Sequence, residues 1–391
     1  MTDLSDGRSA EDGPPSQRWP VGSRRDPTLA KSDLRWMRRA LEQARRGIGR
    51  TTPNPVVGAC VITDEGVVVG DGAHERAGEP HAEIHALEEA GESSRGATLY
   101  CTLEPCSHTG RTGPCTERII AAGIKRVVAA MEDPFPLVSG RGFAALQAHG
   151  IEVEEGLERD AAVRLNQPYL TTIREGRPFI ILKAATSIDG RIAEAPGRQT
   201  QLTSAAANRR VQYLRAQVDA IAVGSETILV DDPVLTAREV YRERPLTRVV
   251  FDRRLRTSPH ARLFSTLSAG PVIIVTTREA VATRGAERSA LERSGANVLA
   301  VEGPGMRRAL RALSGLDIQS VLLEGGAALH AAAWDEGVVD YVQLYVAQVG
   351  LGTAGVPLLD GRHWSLSSLI DPSVEVLGPD TLIEGYVHRP H

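Results

Sequence analysis

Four side chains in the first third of the chain have the types and the order of a metal-assisted hydrolytic site. Pro80-His81-Ala82-Glu83 is followed by Glu104-Pro105-Cys106, eight intervening residues and Cys115. An imidazole and two thiolates leave one position of a tetrahedral Zn2+ open, which separates a catalytic site from a closed structural one. Water in that position has its pKa lowered towards about 7 and can attack an amidine-like ring carbon at neutral pH. Loss of ammonia also needs a carboxylate to take the water's proton and pass it to the ring nitrogen and the leaving amine. Glu83, just beyond His81, is placed for that relay. His81 and His85 stand at i, i+4 on one helix face and form an alternative zinc pair. The open coordination position and Glu83 together argue against a purely structural zinc module.

The general pattern of zinc nucleobase deaminases places two residues between the cysteines. Here the insert is longer, Ser107-His108-Thr109-Gly110-Arg111-Thr112-Gly113-Pro114. With Pro53-Asn54-Pro55-Val56-Val57-Gly58 and Gly78-Glu79-Pro80-His81-Ala82-Glu83, it resembles the deaminase half of the bifunctional deaminase/reductase family of riboflavin biosynthesis. The resemblance implies that His81, Cys106 and Cys115 are the ligands and Glu83 the proton shuttle, with His85 outside the set. It also implies that Asn54, His74, Arg111 and Asp133 line the substrate pocket, where an amide reads the pyrimidine edge and a cation meets a phosphate. In Asp133-Pro134-Phe135-Pro136 the sequence departs from the family, which usually has Asn where Phe135 stands; a phenyl ring supplies none of an amide's hydrogen bonds.

The second half has no strand-associated G-x-G-x-x-G, so nothing supports a Rossmann fingerprint. Instead Leu182-Lys183-Ala184-Ala185-Thr186-Ser187-Ile188-Asp189-Gly190, Leu214-Arg215-Ala216, the run from Val223 to Arg238, and Leu323-Glu324-Gly325-Gly326 resemble the family's reductase domain. That domain implies a dihydrofolate-reductase-like fold and NADPH. Gly325 and Gly326 stand where a strand gives way to a helix, so backbone N–H groups there can approach a dinucleotide phosphate at the positive end of a helix dipole. Arg215 and Arg238 suit the phosphate of a phosphosugar. By resemblance Thr227, Asp231 and Glu324 contact the cofactor and Leu235 helps enclose the substrate. Lys183 is left unassigned. A second departure is Gln201, where the family commonly shows Trp. Phe135 and Gln201 motivate the alternative of a paralogue with an altered pyrimidine or one inactive half.

The elements that position these residues follow from periodicity. A helix is expected over Asp33 to Gly47 with Asp33 as its cap, then a hairpin around Asp64-Glu65-Gly66, and then strands alternating with helices to Glu154. Residues 1–30, rich in Ser, Gly, Pro, Asp and Arg, read as a disordered tail. Leu165–Pro178, with two prolines and little periodicity, reads as the boundary between a deaminase domain over 31–173 and a reductase domain over 174–391. A second α/β series runs from Phe179 and closes with antiparallel strands at Val339–Gln348 and Leu382–His388. The fold class is therefore α/β: a cytidine-deaminase-like three-layer sandwich followed by a dihydrofolate-reductase-like domain.

Bulk properties limit the partners. The chain has 391 residues, 42% hydrophobic and 24% charged, and no apolar run long enough to span a membrane. A net charge of -4 argues against a nucleic-acid deaminase, which needs a basic face. The expected partner is a small phosphoribosyl-pyrimidine, with no nucleic acid and no membrane, in a cytoplasmic homo-oligomer, a dimer or tetramer by resemblance. Cys60 and Cys101 read as buried strand residues.

Overall fold

The computed structural model describes residues 27–107, 113–362 and 364–390. The first domain comprises α1 (Pro27–Arg45), β1 (Gly58–Ile62), β2 (Val68–Ala73), α2 (Ala82–Ala90), β3 (Thr98–Cys101), α3 (Cys115–Ala121), β4 (Arg126–Ala129), α4 (Arg141–Ala148), β5 (Glu152–Glu155), α5 (Arg159–Leu165) and α6 (Gln167–Glu175). Its five-stranded sheet has the order β2-β1-β3-β4-β5. β1 runs antiparallel to both neighbours, and β3, β4 and β5 are parallel. Side chains alternate across a strand, so the two faces can be told apart from the glycines. A Cβ on Gly58 would overlap the backbone of α1, while one on Gly72, across from Ala59, would overlap the backbone of α2. The two helices therefore cover opposite faces, and three layers result. Cys60 and Cys101 are fully buried in β1 and β3.

Two local expectations fail for physical reasons. The first helix begins at Pro27, so the part of the expected tail that is described is helical, and residues 1–26 lie outside the described residues. Asp33 is not a cap: it is buried within α1, accepting from the Tyr100 hydroxyl at 2.5 Å and from Arg126 at 2.8 and 3.2 Å. Leu165–Pro178, read as the boundary, carries the helix α6 and the residues that lead into the strand beginning at Phe179. Pro168 falls in the first turn of α6, where a missing N–H costs nothing, and Gly176 ends that helix in the left-handed region at φ 65. Leu170 and Tyr169 pack into the first core.

The second domain follows with β6 (Phe179–Ser187), β7 (Arg191–Ala193), α7 (Ala205–Gln217), β8 (Ala220–Gly224), α8 (Ser225–Asp231), β9 (Thr247–Phe251), β10 (Val272–Thr277), α9 (Arg278–Thr283), α10 (Gly285–Arg293), β11 (Ala296–Val301), α11 (Met306–Ser314), β12 (Ser320–Leu323), α12 (Ala327–Asp335), β13 (Tyr341–Ala347), β14 (Val356–Pro357), β15 (Ile370–Leu377) and β16 (Asp380–Tyr386). Nine strands form one sheet, β11-β10-β9-β8-β12-β6-β13-β16-β15. β13 and β16 are antiparallel, as the sequence suggests, and β15 extends that edge. Where the second domain begins, the buried Arg177 grips Asp340 through two hydrogen bonds of 2.7 and 2.8 Å, locking the linker to the residue that precedes β13. No helix among the described residues is long and apolar enough to cross a membrane.

Candidate active sites

The start of α2 and the start of α3 meet at the end of β3. His81 is the residue before α2, Glu83 lies in its first turn, Cys115 opens α3, and Cys106 sits in the loop leaving β3. His81 Nδ1 is 3.2 Å from Cys115 Sγ and 3.6 Å from Cys106 Sγ, and all three donor atoms lie within 4.8 Å of one another. Ligands of a tetrahedral zinc, at about 2.0–2.3 Å from the metal, stand roughly 3.5 Å apart, so this donor set fits the ion. Electrostatics agree. The Cys115 thiol, His81 and the Cys115 amide push the Cys106 thiol down against burial, while Cys106 and burial push the Cys115 thiol up, so the pair shares one proton and carries one thiolate. His85 is not part of the cluster. Glu83 is buried, its Oε2 has no hydrogen-bond partner among the described residues, and burial raises the carboxyl's pKa.

These groups face a cavity of about 690 Å³. Asn54 and His74 line it together. A carbonyl can only accept, so His74 Nδ1 donates to the Pro80 carbonyl at 3.1 Å, and its Nε2 accepts from Asn54 Nδ2 at 3.0 Å. That chain fixes the amide and leaves Asn54 Oδ1 for a ligand. Burial lowers the His74 pKa and keeps the ring neutral. Asp133 reaches the cavity wall, but its Oδ1 accepts from the Phe135 amide at 2.9 Å and the Tyr169 hydroxyl at 2.8 Å, an Asx turn that shapes the loop. Phe135 also lines the cavity. Arg111 lies outside the described residues. Sequence reasoning missed Glu104: its buried carboxylate accepts from the amides of Asp133, Gly140, Gly142 and Phe143 at 2.8 to 3.3 Å, so the residue beside the Cys106 loop anchors the opposite wall.

The second cavity, about 990 Å³, lies at the C-terminal ends of parallel strands β6, β8, β9, β10 and β12, where α/β sheets bind ligands. Gly224, Thr227, Asp231, Arg215, Arg238, Glu324 and Gly326 line it. The two glycines divide the labour. A Cβ on Gly325 would stand 2.6 Å from Gly224 N and 2.7 Å from Val223 Cα, so that residue is small for strand packing, whereas a Cβ on Gly326 would meet only Thr227 Oγ1 at 4.0 Å and would fill the cradle. Asp231 Oδ1 is buried there without a partner among the described residues. A dinucleotide's hydroxyls and phosphates fit this set.

Arg215 and Glu324, expected to serve phosphate and cofactor separately, are joined. Arg215 donates to Glu324 at 2.8 and 2.7 Å and to the Thr236 carbonyl at 2.9 Å. Arg238 is exposed on the cavity wall, and its guanidinium has no partner among the described residues. The Leu235 side chain does not face the cavity: it packs in the core with Ile228 and Val250, on a left-handed backbone at φ 54. Gln201 lines the cavity and folds back onto the Thr203 carbonyl at 3.0 Å. Two residues without a sequence assignment, Lys183 and His330, also line it. The Lys183 ammonium stands 5.6 Å over the Tyr345 ring and burial lowers its pKa; burial pushes His330 down to about 4.

Comparison with known proteins agrees with both halves. Residues 30–131 match the cytidine and deoxycytidylate deaminase zinc-binding region, and residues 178–383 match the RibD C-terminal domain. The chain is 41% identical over 358 residues to riboflavin biosynthesis protein RibD of Aquifex aeolicus, covering 91% of this chain and 98% of the relative. It is 42% identical to the Escherichia coli RibD, covering 82% and 89%. Among solved structures, Acinetobacter baumannii RibD superposes with a TM-score of 0.81 at 36% identity, covering 91% of this chain and 99% of that one. The Thermotoga maritima diaminohydroxyphosphoribosylaminopyrimidine deaminase/5-amino-6-(5-phosphoribosylamino)uracil reductase gives 0.80 at 34% identity, covering 92% and 99%. A three-ligand zinc centre and a reductase cavity in one chain, matched along nearly the whole length of these relatives, place the protein in the RibD family of bifunctional riboflavin-biosynthesis deaminase/reductases.

Proposed function

We propose that the two cavities act in sequence. The first deaminates diaminohydroxyphosphoribosylaminopyrimidine, and the second reduces the ribosyl group of the product to give 5-amino-6-(5-phosphoribitylamino)uracil. His81 Nδ1, Cys106 and Cys115 would hold Zn2+, which would supply a Lewis acid in the first cavity. Glu83 does the proton work. Its raised pKa lets the carboxyl take one proton from the attacking water and pass it to the ring nitrogen, then take the second from the hydroxyl so formed and pass it to the amine, which leaves as ammonia while the C=O forms. Asn54, oriented by His74, offers Oδ1 to the donors of the pyrimidine edge.

In the second cavity Gly326, Thr227 and Asp231 would hold NADPH, which would supply a hydride; Arg238 would meet the phosphosugar's phosphate and Lys183 would offer a donor to sugar oxygens. The Arg215–Glu324 pair braces the wall between them. Phe135 and Gln201 on the two walls favour a second reading, the same chemistry on an altered pyrimidine, which mass analysis of the products distinguishes.

The same proposal includes a cytoplasmic homo-oligomer. The four cysteines are free, which suits a reducing compartment. Edge strand β15 exposes Val374 and Val376 at 68% and 75%, an apolar rim suited to a second copy.

The observation that carries the catalytic reading is a buried Glu83 whose Oε2 has no hydrogen-bond partner among the described residues, beside a three-ligand cluster. Glu83→Gln is expected to lower kcat for ammonia release by about 10²- to 10⁴-fold. Zinc content and NADPH oxidation on the deaminated intermediate should stay unchanged. Undiminished ammonia release would refute the assignment.

A further inference from the structure

The wall of the deaminase cavity is not built from the deaminase domain alone. Ser314, Asp317 and Gln319 line it beside Asn54, His74, Glu83 and Cys106; Ser314 ends α11, and Asp317 and Gln319 lie in the segment joining α11 to β12 in the other domain. Gln319 is fixed in the reductase sheet. Its amide donates to Asp219 Oδ2 at 3.1 Å and its carbonyl accepts from Phe179 N at 2.8 Å. From that mount its side chain crosses the domain seam, Nε2 donating to the Pro53 carbonyl at 2.8 Å, immediately before Asn54. Arg50 and Arg76 both pair with Glu243 across the same seam, so the Asn54 loop is held against the reductase domain at more than one point.

Asp317 is a separate feature. It sits in the left-handed region at φ 58, its amide donating to the Ser314 carbonyl at 3.1 Å, and its carboxylate has no hydrogen-bond or ion-pair partner among the described residues. The carbonyl end of α11 lies just before it and adds negative potential. A carboxylate in that setting is a poor neighbour for phosphate and a good acceptor for a vicinal diol.

We infer that the reductase domain completes the deaminase's substrate site, with Gln319 positioning the Asn54 loop and Asp317 binding hydroxyls of the ribosyl group. This rests on the deaminase reading above, which requires the pyrimidine to sit against Glu83 and the zinc ligands and so sends the sugar away from them. It makes the deamination depend on residues that the reduction does not use.

The full-length chain supplies its own control, because reduction can be assayed separately with deaminated intermediate and NADPH. Asp317→Ala is expected to raise KM for deamination about tenfold, the loss of a hydrogen bond to a charged group, with kcat within about twofold and reduction unchanged. Gln319→Ala should raise the same KM by about threefold, the loss of one neutral hydrogen bond, again without affecting reduction. Against the free diaminopyrimidine, which has no ribosyl group, Asp317→Ala should act as wild type. An unchanged deamination KM in both variants overturns the inference, and an equal penalty on the free pyrimidine overturns the ribosyl assignment. If Asp317→Ala disturbs folding and lowers both activities, the isosteric Asp317→Asn decides: a raised deamination KM with normal reduction supports the inference, and an unchanged KM refutes it. Absence of any deamination by the wild-type chain would instead sink the functional reading on which this rests.

Discussion

Replacing Glu324 by Gln keeps the side chain's shape and removes the charge that Arg215 is paired with. Burial would raise the pKa of this carboxyl, yet the guanidinium at 2.7 and 2.8 Å more than reverses that and brings it down to about 2. The displacement from 4.5 to about 2 corresponds to about 3 kcal/mol, at roughly 1.4 kcal/mol for each tenfold change in proton affinity. Removing one partner of a buried pair costs about 3–5 kcal/mol, so the two routes agree. The sign fixes the pH window. A depressed carboxylate stabilises the fold fully above its ordinary 4.5, and the contribution disappears as pH falls towards about 2. Hydrogen exchange of peptides covering β12 and the start of α12 reads the effect directly. Near neutral pH, Glu324→Gln should open that region about 100-fold more often, Arg215→Met should do nearly the same, and the double variant should cost less than the two single effects added, because no charge is left unpaired. NADPH oxidation should fall while ammonia release holds. Strict additivity, or an opening penalty below about 1 kcal/mol for Glu324→Gln, would refute the argument that this pair braces the cavity.

Two further outcomes follow from groups described above. Burial, opposed by the Leu323 carbonyl, pushes the His330 pKa from 6.5 down to about 4, so the neutral ring is favoured in the fold and its contribution is lost as pH falls between those values. Chemical denaturation across that range should show wild-type stability dropping by up to about 3 kcal/mol, with His330→Leu lacking that slope; parallel slopes would count against it. Lysines at Val374 and Val376 place charges on the exposed rim of β15 and should shift the light-scattering mass of an oligomer towards monomer, with the kcat of both reactions within about twofold of wild type. An unchanged assembly would remove that edge as the contact between copies.

What the sequence made legible was chemistry carried by short motifs. His81 and Glu83 fall on one helix start and Cys115 on another; the residue types in their order and the family resemblance named them as one site, and the alternation of strands and helices gave the layers. Contacts over long separations were not legible. Arg215 and Glu324 are 109 residues apart, and nothing local says that each is the other's partner rather than a ligand for phosphate or cofactor. Glu104 escaped notice because its four donors are backbone amides, which have no signature in the residue types. Asp33 misled because its type favours a cap, while tertiary pairing with Tyr100 and Arg126 holds it inside the helix. The helix α6 was not legible within the boundary segment, since Pro168 falls in the one turn that tolerates it.

Gly70 and Gly72, on the strand beneath α2, carry no chemistry, yet even one methyl group at either would collide with the carbonyls of Ala86 or Ala82. The helix that carries Glu83 would then have to lift off the sheet. In a saturation library of this chain, both positions should therefore behave like active-site residues, emptied of every alternative by selection for ammonia release although neither can touch a substrate. A map of mutational tolerance would trace the underside of that helix as sharply as it traces the metal ligands.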